Sequence, residues 1–455
     1  MHSVNMEAVE TVKKTRSGKW MLGCLLVAVL LRVASESTAS LSYLFLAAYA
    51  LFGRAQVIQA FVLSWLLTML NPGLAPDSSG LSAGRYLVIF AGAVSVGFRS
   101  RIAVEFSIRK LSFFTLLLGI FLLAHSVLFS AAVDFSILKA MAWVVVVLTL
   151  LSAWQGLSMQ GRKILFDQLQ TLLVVLMLVS LPLLVIPTIG YLRNGTGFQG
   201  VLNHPQAFGP TIALVGTLVG GRLLGEKKPR WRDIALLGLC FVLVVLSGAR
   251  TAGLAMVAGL VGAAALSPIF AGVSRSRMVP GLRSQRFQIL LVLSFVGVIA
   301  AGPVLVDRIT NYLFKQSDAS TLFDAAEASR GFLVQKMIVN IEDNPLVGIG
   351  FGIASELADM EIERDSILGL PLSAVVEKGV MPIAVLEELG IFGAAAVLAW
   401  LFVVLRRGAR AGVQKFAVLI TLLMVNFGES MFFSVGGMGM LLLVLLSASV
   451  VEESL

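Results

Sequence analysis

Apolar runs of bilayer length, repeated along almost the whole chain and separated mostly by short charged loops, leave few folds open to this sequence. A hydrocarbon core is about 30 Å thick and an α-helix rises about 1.5 Å per residue, so about 20 apolar residues cross it. Such runs fall at 20–35, 40–53, 55–70, 84–98, 111–131, 135–155, 169–190, 205–224, 233–249, 251–271, 287–305, 382–405, 415–433 and 436–451. In lipid each backbone N–H and C=O has to find its partner inside the segment, which leaves the helix for runs of this kind. Of the 455 residues 58% are hydrophobic and 13% charged, where soluble domains carry about 25% charged residues. A water-soluble enzyme and a disordered chain are both excluded. The sequence predicts an all-α polytopic membrane protein of 12–14 transmembrane helices with one long external loop containing short helices.

Charge predicts the orientation. The formal net charge is +9, from 35 Lys+Arg and 26 Asp+Glu. One set of alternate loops, from Lys13 and Arg54 through Arg99, Arg162, Arg222 and Arg286 to Lys415, gathers 24 of the basic residues and 8 acidic ones. The other side holds 10 basic and 18 acidic residues, and Arg32 lies within the first run. The positive-inside rule then puts both termini in the cytoplasm. The basic excess is topogenic and no nucleic-acid surface, because no basic patch is interleaved with aromatics. The basic N-terminus followed by Trp20–Leu31 has the look of a signal peptide, but with so many runs after it an uncleaved first helix is expected. Cys24 and Cys240 each sit in an apolar run, which argues against a disulfide framework or a metal site.

Four regions follow: N-terminal transmembrane helices over 1–190, central ones over 191–305, an external loop over 306–381 and C-terminal helices over 382–455. Long loops in a compact chain carry function more often than short ones. Here Phe332, Val334, Met337, Ile338 and Ile341 recur at helical spacing, with Lys336, Asn340 and Glu342 between them. Asn344–Pro345 stops that helix, and Gly348, Gly350 and Gly352 follow. The glycine run serves either as a tight re-entry turn or as a ligand contact. A second external loop, 190–204, carries Arg193, Asn203 and His204 and leads into Pro205-Gln206-Ala207-Phe208-Gly209. His204 reads as a helix-start residue or a catalyst, and His125, inside an apolar run, as a hydrogen-bonded structural group. The shortest external turn is Ser247-Gly248-Ala249-Arg250-Thr251. An arginine wedged between two apolar helices either snorkels to the interface or meets a ligand.

Taken in order, the glycine-rich His-Pro-Gln helix start, the Ser-x-x-Arg-Thr turn and the long loop with Arg330 and Asn344-Pro345-Leu346-x-Gly348-x-Gly350 resemble the O-antigen ligase and polymerase superfamily of bacterial envelope glycan assembly. Glu387-Glu388-Leu389-Gly390-Ile391-Phe392-Gly393 extends the resemblance, which covers about 197–395. It implies a GT-C-like membrane glycosyltransferase that works without a metal, cofactor or nucleotide sugar, in a bacterial inner (plasma) membrane, with its active site facing the periplasm or exterior. The donor would be an undecaprenyl-pyrophosphate-linked oligosaccharide, the acceptor a glycan or lipid hydroxyl, and chain-length or export proteins possible partners. Arginine forks suit the charge that builds on a departing diphosphate. The expected pyrophosphate ligands are Arg250 first, then Arg330, Arg193 and Arg308. Ligases of the family carry a His-Asn pair ahead of Gly-x-x-Gly; Gly379 and Val380 stand at those positions here. Glu377 is therefore the expected base, and His204, Lys336, Lys378 and Glu388 are further candidates. Glu387 and Glu388 enter a membrane helix, so at least one is expected to pair with an external arginine or to line the cavity. The missing histidine favours a polymerase of O-antigen or exopolysaccharide units over a ligase. A polysaccharide or solute transporter is the rival from another class; its usual signs, matched broken helices and mid-span charges, are not evident in the sequence.

Overall fold

The computed structural model describes residues 22–76, 81–99, 106–193, 195–289, 292, 322–365, 369–374, 376 and 378–451. Helices α1 to α7 span Leu22–Ala34, Glu36–Ala50, Arg54–Thr68, Leu81–Arg99, Phe106–Phe129, Val133–Gln155 and Met159–Ser180. Helices α8 to α14 span Pro205–Gly225, Trp231–Ser247, Arg250–Ala271, Leu322–Asp343, Met381–Arg410, Val413–Val425 and Met438–Ser449. Every predicted apolar run carries a helix except 287–305, which lies largely outside the described residues. Six of these helices are long and apolar enough to cross a membrane, and the protein is an all-α polytopic membrane protein.

Among the remaining helices, α1, α2 and α13 are only 13, 15 and 13 residues long, for local reasons. Ser35 ends α1 and starts α2 with a capping box in which its side chain accepts from the Thr38 N–H. Cys24 lies against Tyr49, so α1 and α2 form a hairpin about Ser35. The run expected over 415–433 stops as a helix at Val425, because Asn426 turns the chain. Its Nδ2 donates to the Leu422 carbonyl at 2.7 Å and its Oδ1 accepts from the Met431 N–H at 3.0 Å. Segment 426–437 is thus an irregular connection with Phe432, Phe433 and Val435 buried.

Helix α8 is the central post, almost wholly buried. Its small residues let neighbours close in, as expected where no hydrophobic drive separates helices from lipid. A Cβ on Gly216 would stand 2.3 Å from Met256 Sδ of α10, and one on Gly221 2.7 Å from Gln414 Cα of α13. Thr217 and Thr421 join α8 to α13 hydroxyl to hydroxyl at 2.9 Å.

The two ends of the bundle differ. At one, the loops that the charge pattern groups together meet: Arg54 donates to the carbonyls of Gly156 (2.9 Å) and Arg99 (2.6 Å), Arg222 approaches Asp233 (3.9 Å), and Lys415 donates to the Val451 carbonyl (2.9 Å). At the other lie the 190–204 loop, the 247–250 turn, segment 426–437 and, of the long connection between α10 and α12, the described residues from 322 onward. Besides α11, that connection holds a two-stranded antiparallel hairpin, β1 (Ile362–Arg364) and β2 (Pro371–Ala374), where only short helices were expected. Arg364 ties the hairpin to Asp134 at the start of α6 with a 2.6 Å ion pair.

Candidate functional site

Helix α12 is broken at Gly390, whose φ of 62° and ψ of −169° no helix contains. The break frees backbone groups of α12, and the glycine-rich turn takes them up. Ile349 and Gly350 donate their N–H groups to the Glu387 and Glu388 carbonyls at 2.9 and 3.0 Å, while Ile391 donates to the Pro345 carbonyl at 3.0 Å. This fit requires glycine on both sides. A Cβ on Gly390 would lie 2.2 Å from the Leu346 carbonyl oxygen, and one on Gly348, where φ is 70°, 2.5 Å from that of Glu387.

The carbonyl exchange brings a charged cluster under the turn. Glu387 is wholly buried, and Lys378 is 3% and Glu388 7% exposed. Lys378 Nζ stands 2.7 Å from Glu387 Oε2, in an approach too far off axis for a hydrogen bond, and 3.2 Å from Glu388 Oε1. The other carboxylate oxygens are engaged as well: Asn340 Nδ2 donates to Glu387 Oε1 at 2.7 Å, and the Gly352 N–H donates to Glu388 Oε2 at 2.6 Å. Lys139 of α6 adds a second cation, half-buried, 5.4 Å from the Phe351 ring centroid and so close to Gly352 that a Cβ there would meet its Cδ at 2.4 Å. His125 of α5 closes the turn from the far side, its Nε2 2.6 Å from the Val347 carbonyl, which is the structural role expected of it. A buried charge network of this kind holds together only while each member keeps its partner.

The partner of Glu387 and Glu388 is thus Lys378, where an external arginine or a place lining the cavity was expected. The glycine run takes the re-entry role of the two open to it, because its N–H groups go to α12 and to the Glu388 carboxylate.

The arginine-bearing features assemble beside this cluster. The Phe198 N–H donates to the Leu246 carbonyl at 2.9 Å, binding the 190–204 loop to the end of α9. Gly209 admits the 247–250 turn: a Cβ there would lie 2.4 Å from Ala249 Cβ and 2.7 Å from Ser247 Oγ. Gly248, at φ 67°, makes the reversal, and Arg250, half-buried, begins α10. His204 caps α8, its Nδ1 accepting from the Gln206 N–H at 3.0 Å. Burial, and secondarily the charge of Arg193, hold the His204 imidazole below its ordinary pKa. Arg193 itself is exposed, its N–H held by Gln199 Oε1 at 2.9 Å.

Segment 426–437 links the two halves. Gly428 packs against Thr251, where a Cβ would stand 2.3 Å from Oγ1. The Asn426 carbonyl accepts from the Met381 N–H at 3.0 Å, at the start of α12. Phe433 stacks edge-on against Phe351 with centroids 5.5 Å apart, and a Cβ on Gly436 would meet the Arg85 guanidinium at 2.3 Å.

Of the expected site residues, Lys378 and Glu388 meet in the cluster, and Arg250, Arg193 and His204 stand on the neighbouring loops. Lys336 points elsewhere, 2.8 Å from Glu356 and 4.4 Å from the Phe332 ring centroid. Arg330 lies on α11 with its side chain outside the described residues, as Glu377 and Arg308 are altogether. Sequence reasoning did not pick out Lys139 or Asn340. A lysine in the second turn of an apolar run was the signal for the first; the second, one polar residue on an amphipathic helix, gave none. No protein-family model matches the chain, and no curated protein matches it significantly.

Proposed function

We propose that this protein is a bacterial inner-membrane glycosyltransferase that moves a glycan from undecaprenyl pyrophosphate to an acceptor hydroxyl at the external face, elongating O-antigen or exopolysaccharide repeat units. The observation that carries the reading is convergence. Three segments that the resemblance joins, 197–209, 247–253 and 343–393, are far apart in sequence. They come together at one end of the bundle, linked through 426–437.

In this reading the acceptor oxygen bonds to the anomeric carbon as the bond from that carbon to the phosphate oxygen breaks. The electron pair leaves with the diphosphate and the acceptor proton passes to a base. Arg250 and Arg193 hold the growing negative charge by forked hydrogen bonds. Arg330 and Arg308 are the further arginines proposed for it. Glu377 is the proposed base. Its sequence neighbour Lys378 is pinned by Glu387 and Glu388, so those two acids serve as anchors: each pairs with Lys378 and accepts a hydrogen bond from a second group. The proposed termini are cytoplasmic, on the side where Arg54, Arg222 and Lys415 gather.

Purified protein given an undecaprenyl-pyrophosphate glycan should yield a ladder of lengths on a gel. One product that needs a second acceptor would make it a ligase instead. A specific feature favours a different class: α12 is a broken helix beside the short pair α13 and α14, and interrupted helices are the usual site of secondary transporters. Solute uptake by reconstituted vesicles, with no turnover of any lipid-linked glycan, would replace the transferase reading with that one.

A further inference from the structure

The long connection between α10 and α12 carries an apolar stripe that water does not explain. Phe332, Val339 and Leu346, seven residues apart, are 70%, 51% and 53% exposed, with Ile338 beside them at 44%. Seven residues is close to two helical turns, so Phe332 and Val339 share one face of α11, and Leu346 follows in the turn after it. Large apolar side chains exposed along one face mark a surface that something covers. The stripe continues on α12, because Ile391 donates to the Pro345 carbonyl at 3.0 Å. Ile391, Phe392, Leu398 and Phe402 are all more than half exposed and run down the spanning half of that helix.

We infer that α11 lies along the membrane surface, with Phe332, Ile338, Val339 and Leu346 in the acyl region of the same bilayer that α12 crosses. Continuity is the first argument: the lower part of the stripe is the lipid-facing side of a membrane helix. Depth is the second. Residues 391–410 alone provide about 30 Å of helix, the thickness of the hydrocarbon core. The Gly390 break, and the 345–350 turn bonded to it, therefore sit at the boundary of the core and not far above it. The polar side of α11 is the third. Met337 is wholly buried and Asn340 bonds to Glu387, so that side faces the protein. Lys336 reaches back to Glu356 as an interfacial lysine does, and Glu342 and Asp343 are exposed at the helix end, within reach of headgroups and water. The inference is independent of the transferase reading and stands whether or not any glycan turns over.

The test is spin-label accessibility in vesicles of phosphatidylethanolamine and phosphatidylglycerol. Cys24 and Cys240 are replaced by Ser, and single nitroxides are placed by Phe332→Cys, Val339→Cys, Leu398→Cys as the lipid reference and Glu361→Cys as the water reference. Oxygen concentrates among acyl chains and a nickel chelate in water. Oxygen collisions should exceed nickel collisions several-fold at 332 and 339, as at 398, with the reverse at 361. Should a labelled variant fail to fold, Ile338→Cys and Leu346→Cys replace it. Nickel collisions equal to or above oxygen collisions at 332 and 339, while 398 still reads lipid, would overturn the inference. So would dipolar broadening between labels, which would mean that a second copy of the chain covers the stripe.

Discussion

Lys378→Met deletes one ammonium from the buried cluster while keeping most of the side chain's volume and reach. With an effective dielectric of about 20, its 2.7 and 3.2 Å contacts correspond to about 6 and about 5 kcal/mol of attraction. Burying the three charges opposes this by several kcal/mol per ion, so the intact network contributes little net stability. Removing the lysine abolishes the attraction and leaves Glu387 and Glu388, adjacent and buried, with Asn340 and the Gly352 N–H as donors and Lys139 as a nearby cation. The expected loss is about 3–5 kcal/mol. Adding Glu387→Gln removes one stranded charge and leaves an oxygen for Asn340, so the double variant should be more stable than Lys378→Met alone. The coupling energy of the cycle should be about 2 kcal/mol or more. Equilibrium unfolding in mixed micelles, followed by tryptophan fluorescence, measures both. Two of the six tryptophans, Trp143 and Trp400, are buried and stack with Phe433 and Phe432 of the linking segment, so part of the signal reports on this region. A Lys378→Met variant within about 1 kcal/mol of the parent, or a double variant no better than the sum of its parts, would show that the cluster is not an interdependent network.

Gly390→Ala should abolish folded protein, since its Cβ would strike the Leu346 carbonyl in a left-handed conformation. Gly97→Ala, with open space around it, should elute normally on size exclusion. Equal behaviour of the two would mean that the turn does not lock the break. Arg250→Ala should eliminate glycan transfer while leaving membrane insertion and elution unchanged; near-normal turnover would remove the central residue of the proposed site. His204 accepts a hydrogen bond at Nδ1, so its cap needs the neutral ring. Its pKa in the fold lies below the ordinary 6.5. The cap's contribution is therefore complete above about pH 6.5 and lost as pH falls through the lowered value. His204→Asn keeps a capping side chain without the titration, and should flatten the fall in thermal midpoint from pH 7 to pH 5. Identical pH profiles for parent and variant would refute this assignment.

The class of fold was legible because hydropathy is read one residue at a time and lipid leaves the backbone a single solution. The ends of the helices were less so. Nothing in the apolar run over 415–433 announces that it stops at Val425; that depends on Asn426 satisfying both Leu422 and Met431 across a turn. The candidate site was half legible. The Arg250 turn and the Glu387–Glu388 pair stand out as charges where lipid penalises them. Of the partners of that pair, Lys378 was among the candidates, but Asn340 and Lys139 were not, because they arrive from two other elements, α11 and α6. The glycine run could be read as turn or ligand seat until the fold showed what its N–H groups bond to.

That outcome bears on where a substrate's charge could sit. Successive N–H groups in a glycine-rich turn form a natural seat for an anion, and Gly348–Gly352 is the most conspicuous such turn in the sequence. Its occupant is internal: the Gly352 N–H holds Glu388, while Ile349 and Gly350 hold α12 carbonyls. A diphosphate could enter there only by displacing a buried carboxylate from both Lys378 and the turn, at a cost in the range set by the Lys378→Met variant. The alternative leaves that carboxylate in place. The loops around Arg193 and Arg250 stand beside the cluster, joined to it by Gly428 and Asn426, and Arg193 is exposed. Under the transferase reading the anion therefore belongs on the arginine side, and the glutamate–lysine network does a different job. It holds the 381–389 half of α12, and Lys378 just ahead of it, against the turn.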